Sequence, residues 1–169
     1  MKKQLILVLI LSALAIPMQA QTSPVDDLFE KYDGKEGFTS VYISSKMFSL
    51  LSKIDSNDEE FRNLVTRING IRILSIDSAD NTTRLNFATE LMPKLRRNGF
   101  EELMTVKEED DNVFMIREVG DRIAELVMVT GGHGSTVVSI RGNLDLKTIA
   151  SLSKSVGIDE LEGLENVKR

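Results

Sequence analysis

One histidine, His133, sits in the run Gly131-Gly132-His133-Gly134-Ser135, and it is the first place to look for chemistry. Glycines let a ligand approach the backbone closely. Ser135 follows two residues later, so the residue types of a Ser/His/Asp triad all occur in the chain. No serine lies in a G-x-S-x-G elbow, however, and no spacing aligns a base with a nucleophile. There is no G-x-G-x-x-G and no Gly-Lys-Ser/Thr, so phosphate-cradling loops are not indicated. A zinc site needs several His or Cys ligands, and this chain has one histidine and no cysteine. The simpler account of these glycines is a hairpin turn that requires positive φ.

Acidic residues gather in three places: Asp55, Asn57, Asp58 and Glu59; Asp77, Asp80 and Asn81; and residues 108–111. None follows the D-x-[DN]-x-[DN]-G pattern with a closing glutamate that a calcium loop requires. The first two groups read as helix caps and the third as a solvated hairpin tip. Paired carboxylates for glycoside hydrolysis are the surviving catalytic option. Against it, tryptophan is absent and aromatics make up only 5% of the chain, a poor platform for stacking sugars. Arg117, Arg122 and Arg141 form the remaining polar constellation. Arg117 and Arg141, with Asn143, would make an anion-binding patch if they share a face. Cross-strand pairing with Glu118 and Glu125 is the favoured alternative, as an ordinary surface feature. Met47, Met92, Met104, Met115 and Met128 occupy apolar positions and read as core filler. No residue is assigned a catalytic, cofactor or metal role; the candidate interaction residues are His133, Arg141 and Asn143.

These side chains depend on residues 112–143, where apolar runs at 113–116, 123–129 and 136–140 are divided by glycine-containing turns. That is the signature of an antiparallel meander. Upstream, Ser23 and Pro24 start a helix whose Val25, Leu28, Phe29 and Tyr32 share a face, ending at Gly34. A strand follows over 38–43. A second helix from Ser44 or Ser45 places Met47, Leu50, Leu51 and Ile54 at helical spacing. Ser56 and Glu59 form a capping box for a third helix carrying Phe61, Leu64, Val65 and Ile68, stopped by Gly70. A strand over 71–76 and a polar loop over 77–81 precede a helix from about Thr82 to Asn98, which Pro93 should kink or restart. Residues 100–107 read as a strand. After the meander, Asp145 caps a last helix with Leu146, Ile149 and Ala150 facing inward and Gly157 ending it, leaving a weakly patterned tail over 158–169. The alternating first half and hairpin-rich second half predict an α+β fold, with a largely antiparallel sheet and helices packed mainly on one face.

The chain has 169 residues and a formal charge of −5. Lys2 and Lys3 followed by a largely apolar region of twelve residues, Leu5 to Ile16, and then Pro17-Met18-Gln19-Ala20, form a secretory signal pattern with cleavage expected after Ala20. The apolar run falls short of the ~20 residues that span a bilayer. The expected organisation is a signal peptide over 1–20 and a single domain over 21–169, with no transmembrane segment after cleavage. Removing the two signal lysines leaves 19 basic residues against 26 acidic ones, a balance of −7. A mildly acidic domain with no basic stripe argues against nucleic acid and anionic membrane surfaces. The absence of cysteine excludes disulfides, thiolate chemistry and a lipidated cysteine. The expected location is periplasmic or secreted.

The segments FTSVYISSKMFSLLS, ELVMVTGG and VVSIRGNLDLKTIASLSKS resemble a family of exported Bacteroidetes proteins classified as domain of unknown function 4252. The likeness extends over about residues 29–164. It implies export and an α+β fold, and it supplies no activity, cofactor or catalytic motif. Genes of that family lie near extracytoplasmic sigma-factor regulators, an association without a residue-level mechanism. The leading expectation is a non-catalytic envelope module that binds another envelope protein or a small ligand, with no cofactor. The alternatives are a hydrolase using acidic residues, or a structural module that self-associates through a sheet edge.

Overall fold

The structure is a computed structural model that describes residues 22–54, 59–76, 85–107, 111–132 and 134–156. Its elements run α1 (Pro24–Tyr32), β1 (Phe38–Ser44), α2 (Ser45–Ile54), α3 (Glu59–Val65), β2 (Ile68–Ile76), α4 (Phe87–Arg97), β3 (Glu101–Lys107), β4 (Asp111–Val119), β5 (Arg122–Thr130), β6 (Thr136–Leu144) and α5 (Leu146–Val156). The six strands form one antiparallel sheet in the order β1-β2-β6-β5-β4-β3. The class is the α+β fold expected from the sequence, and the meander is present as β4, β5 and β6. Gly132 and Gly134 have φ of +81° and +78°, as the turn between β5 and β6 requires.

The helices, expected mainly on one face, are instead divided between both faces of the sheet. On one face α1 and α4 bury Val25, Leu28, Phe29, Phe87, Leu91 and Leu95 against Leu74, Met115, Val127, Val129 and Val137. On the other, α2, α3 and α5 bury Phe48, Leu64, Val65 and Ile149 against Phe114, Ile123, Leu126 and Leu144. The physical reason lies in β5, where Leu126 and Met128 serve one core while Val127 and Val129 serve the other. A strand apolar at consecutive positions must be covered on both sides.

Three local expectations change. The third helix ends at Val65, and Ile68 and Gly70 belong to β2, paired with Gly142 and Arg141. The helical spacing of Ile68 is therefore coincidental, and cross-strand pairing decides its state. In α2, Phe48 is buried while Met47 and Leu50 are 49% and 45% exposed. That helix follows β1 without an intervening residue, so the strand end sets its rotation. The fourth helix starts at Phe87, with Asn86 Oδ1 accepting the Thr89 amide at 3.3 Å, and it runs through Pro93 as one element. The proline deprives the Thr89 carbonyl of its donor, and both residues are exposed, so water can replace it. The signal segment, the Ser56 capping position, the 77–81 loop, the 108–110 tip, His133 and the tail lie outside the described residues.

Candidate functional site

The sheet carries its polar chemistry in two clusters, one inside and one at the rim. The inner cluster is centred on Glu125 of β5, which is 0% exposed. Simple alternation would put Ile123 and Glu125 on the same face. Both ladders of β5 shift register between these two residues, so Ile123 stays in the α2/α3/α5 core while Glu125 turns towards α1. There its cross-strand neighbours are Arg117 on β4 and Arg141 on β6. Arg117 Nη2 donates to Glu125 Oε2 at 3.2 Å, and Arg141 Nε lies 3.1 Å from Oε1. Ser139 Oγ donates to Oε1 at 2.7 Å and Ser23 Oγ at 3.1 Å.

Ser23 also caps α1, accepting the Val25 amide at 3.4 Å, so one hydroxyl joins the helix start to the buried carboxylate. One turn on, Asp26 pairs with Arg141 at 3.0 Å and with Arg72 of β2 at 2.5 Å. The Arg72 guanidinium lies over the rings of Phe29 and Tyr42, at 5.6 and 5.3 Å. Burial alone would push the Arg141 pKa down; Asp26 and Glu125 outweigh that and hold it above its ordinary value. Three guanidiniums thus meet two carboxylates. Arg117 Nε is buried without a hydrogen-bond acceptor among the described residues, although its guanidinium lies over the Phe100 ring at 5.4 Å. The favoured cross-strand pairing of Arg117 and Arg141 with Glu125 is therefore present, in the interior and not on the surface as expected.

The rim cluster lies where β6 passes into α5. Asp145 Oδ1 accepts the Thr148 amide at 2.8 Å and the Thr148 hydroxyl at 2.7 Å, the N-cap expected from the sequence. Its other oxygen holds Arg67 at 2.5 Å and Arg122 at 2.8 Å. Partial burial opposes the charged form of Asp145, but the Thr148 hydrogen bonds and Arg67 dominate and lower its pKa to about 2. Gly142 makes the corner possible: a Cβ there would lie 2.1 Å from the Arg67 carbonyl oxygen, which itself accepts the Asn143 amide at 2.9 Å. Beside it is a cleft of about 440 Å³ lined by residues that include Glu59, Asn63, Arg67, Asp145, Lys147 and Thr148.

Of the candidate interaction residues, Arg141 joins the Glu125 cluster, and Asn143 is exposed and meets Arg67 through its backbone. His133 lies outside the described residues. Next to it, Ser135 is fully buried: its hydroxyl donates to the Thr130 carbonyl at 2.6 Å and accepts the Phe87 amide at 3.0 Å, tying the β5–β6 turn to the start of α4. Sequence reasoning missed Asp26, Arg72 and Arg67. A usable signal was Glu125 itself, a charge inside a run otherwise apolar on both faces, which demands partners. Among the described residues no group of three or more His, Asp or Glu comes together to hold a metal, and no helix is long and apolar enough to cross a membrane.

An antiparallel sheet covered on both faces, with its buried carboxylate paired internally, defines an α+β domain with no recognisable catalytic constellation among the described residues. The chain belongs to the family described as Domain of unknown function (DUF4252), whose model matches residues 32–152. That span includes Arg72, Arg117, Glu125 and Arg141, and begins after Ser23 and Asp26. Searches of curated proteins and of solved structures found no match.

Proposed function

We propose that this protein is an exported, non-catalytic binding module of the bacterial envelope, acting in the periplasm or after secretion and engaging another envelope protein. Export rests on Lys2-Lys3, the largely apolar twelve-residue region from Leu5 to Ile16, and the expected cleavage after Ala20. The observation that favours a non-catalytic role is the engagement of the acidic side chains that would do hydrolysis. Glu125 is held by two arginines and two serines, and Asp145 by a cap and two arginines. A carboxyl kept charged down to about pH 2, as Asp145 is, makes a poor general acid near neutrality. This weighs against the acidic hydrolase alternative. The link to an extracytoplasmic stress response rests on family gene neighbourhood alone.

The test is affinity capture of the tagged protein from cross-linked envelopes, followed by mass spectrometry, with fractionation to follow the chain. Recovery of the same envelope protein from independent preparations, with the tagged chain shortened and outside the cytoplasm, is the expected result. A chain that keeps its first twenty residues in the cytoplasm, or captures nothing reproducible, overturns the proposal.

A further inference from the structure

The two edges of the sheet are built differently. The β3 edge, EELMTVK, carries Glu101, Glu102 and Lys107 and is broken by a bulge between Glu102 and Met104. Charges and bulges are the usual means of keeping an edge from pairing with another chain. The β1 edge, FTSVYIS, has neither: it holds no charge and no proline, and its register against β2 is unbroken from Phe38↔Ile76 to Ser44↔Gly70. It is also where apolar surface collects, with Tyr42 63% and Val41 40% exposed. The helix that follows it, α2, leaves Met47 and Leu50 uncovered on the Val41 side of the sheet.

We propose that β1 pairs antiparallel with β1 of a second copy, joining two six-stranded sheets across a two-fold axis at Val41. In that register all seven residues overlap: Phe38 faces Ser44, Thr39 faces Ile43, and Ser40 faces Tyr42. Every opposed pair is uncharged, so self-pairing brings no like-charge penalty. The Tyr42 face supplies a second form of complementarity. Beside β1 and under α1 runs a groove of about 470 Å³ whose walls include Phe29, Asp33, Ser40, Tyr42 and Arg72. Directly opposed residues of antiparallel strands have Cβ atoms ~4.5–5.5 Å apart. The second copy's Tyr42, opposite Ser40, is thereby delivered to this groove. Ser40 already donates to Asp33 there, and the Asp33 carboxylate can accept the incoming phenol. Within its own chain the Tyr42 ring, 63% exposed, lies beside Gly70 and under the Arg72 guanidinium, so it turns outward on pairing. Ring and receptacle lie two residues apart on one strand, the self-complementary arrangement that a two-fold contact requires. The inference rests on the chain being an interaction module and names a second copy as the occupant of β1.

The absence of cysteine makes the test clean. Sedimentation of the purified protein over a wide concentration range should show a monomer–dimer equilibrium. Val41→Cys should form a disulfide-linked dimer under mild oxidation, whereas Thr105→Cys, on the opposite edge strand β3, should not. Val41→Lys opposes two ammonium groups on the axis and should raise the dimer dissociation constant at least about tenfold, with Thr105→Lys leaving it unchanged. Circular dichroism checks the fold of each variant, and Tyr42→Ala, which empties the groove, provides a second route to the same weakening. A wild-type protein monomeric throughout, a dimer indifferent to both Val41→Lys and Tyr42→Ala, or equal cross-linking from Thr105→Cys overturns the proposal. A monomer whose Val41→Cys variant cross-links to a different envelope protein also overturns it and gives β1 to that partner. Because envelope capture uses another readout, failure of the dimer is distinguishable from failure of the binding role.

Discussion

Glu125 and Asp145 are each held by two arginines, and they differ chiefly in where they lie. Glu125 is wholly buried under α1, with Arg117 and Arg141 each about 30% exposed. Asp145 is 33% exposed, and its partners Arg67 and Arg122 more so. Around Glu125 water cannot replace a lost partner, so each group depends on all the others. Around Asp145 solvent screens the ion pairs, and the part that matters most is local, the cap on α5. Similar side chains therefore act as an interior brace in one place and a helix terminus in the other.

The largest effect tests the brace. Glu125→Ala leaves Arg117 and Arg141 facing each other without their shared counter-ion, while Ser23 and Ser139 lose their acceptor. Breaking one partner of a buried pair costs about 3–5 kcal/mol, and a loss in that range is expected in urea denaturation. Replacing the carboxylate and both arginines together by well-packed apolar residues should recover much of it, because an ion cluster is a weak source of net stability once its members can all be removed. A single substitution costing under about 1 kcal/mol would place Glu125 in surface-like solvent and erase the contrast.

Next comes the rim, read through pH. The folded pKa of Asp145 is depressed from 3.8 to about 2. Its contribution to stability is therefore complete above the unfolded value and disappears as pH falls from about 4 towards 2. After discounting for its exposure, that contribution is roughly 1–2 kcal/mol. Asp145→Ala should lower stability at neutral pH by that amount and flatten the acid limb of the stability curve. Glu90 adds in the same direction. Desolvation opposes its charged form, yet hydrogen bonds from Lys31, Tyr32 and Lys94 hold its pKa below the ordinary value, so the variant keeps some acid sensitivity. Melting temperature followed from pH 7 downward checks both points; an unchanged acid limb in Asp145→Ala would remove the cap from the account.

The contrast was only half legible in the sequence. Asp145 could be read because a cap is local: an aspartate, an amide three residues on, and an apolar face behind it. The element order could be read for a similar reason, since periodicity and turn residues act over short spans. Glu125 was visible as a pairing partner but not as a buried one. Its burial requires a register shift against two neighbouring strands and a helix start delivered from about a hundred residues upstream, where Ser23 meets it across 102 positions. The division of helices between faces was hidden likewise, because the helical pattern shows which side of a helix is apolar and not which side of a sheet it meets. Gly70 and Ile68 belong to β2 and not to the third helix, because spacing alone does not weigh their pairing with β6.

The smallest effect sets the limit of the comparison. Arg122 closes the β4–β5 hairpin and reaches Asp145 at 2.8 Å, with its side chain 49% exposed. If the rim is dominated by the Thr148 cap and not by its ion pairs, Arg122→Ala should cost no more than about 0.5–1 kcal/mol, fading in high salt, as an exposed pair does. Arg141→Ala removes the same side chain from around Glu125 and should cost several times as much, with little salt dependence, since that carboxylate is shielded from counter-ions. Measuring the two variants side by side at low and high ionic strength isolates burial as the variable. Equal losses with equal salt dependence would mean that the position of the carboxylate, inside or at the rim, does not govern what its arginines contribute.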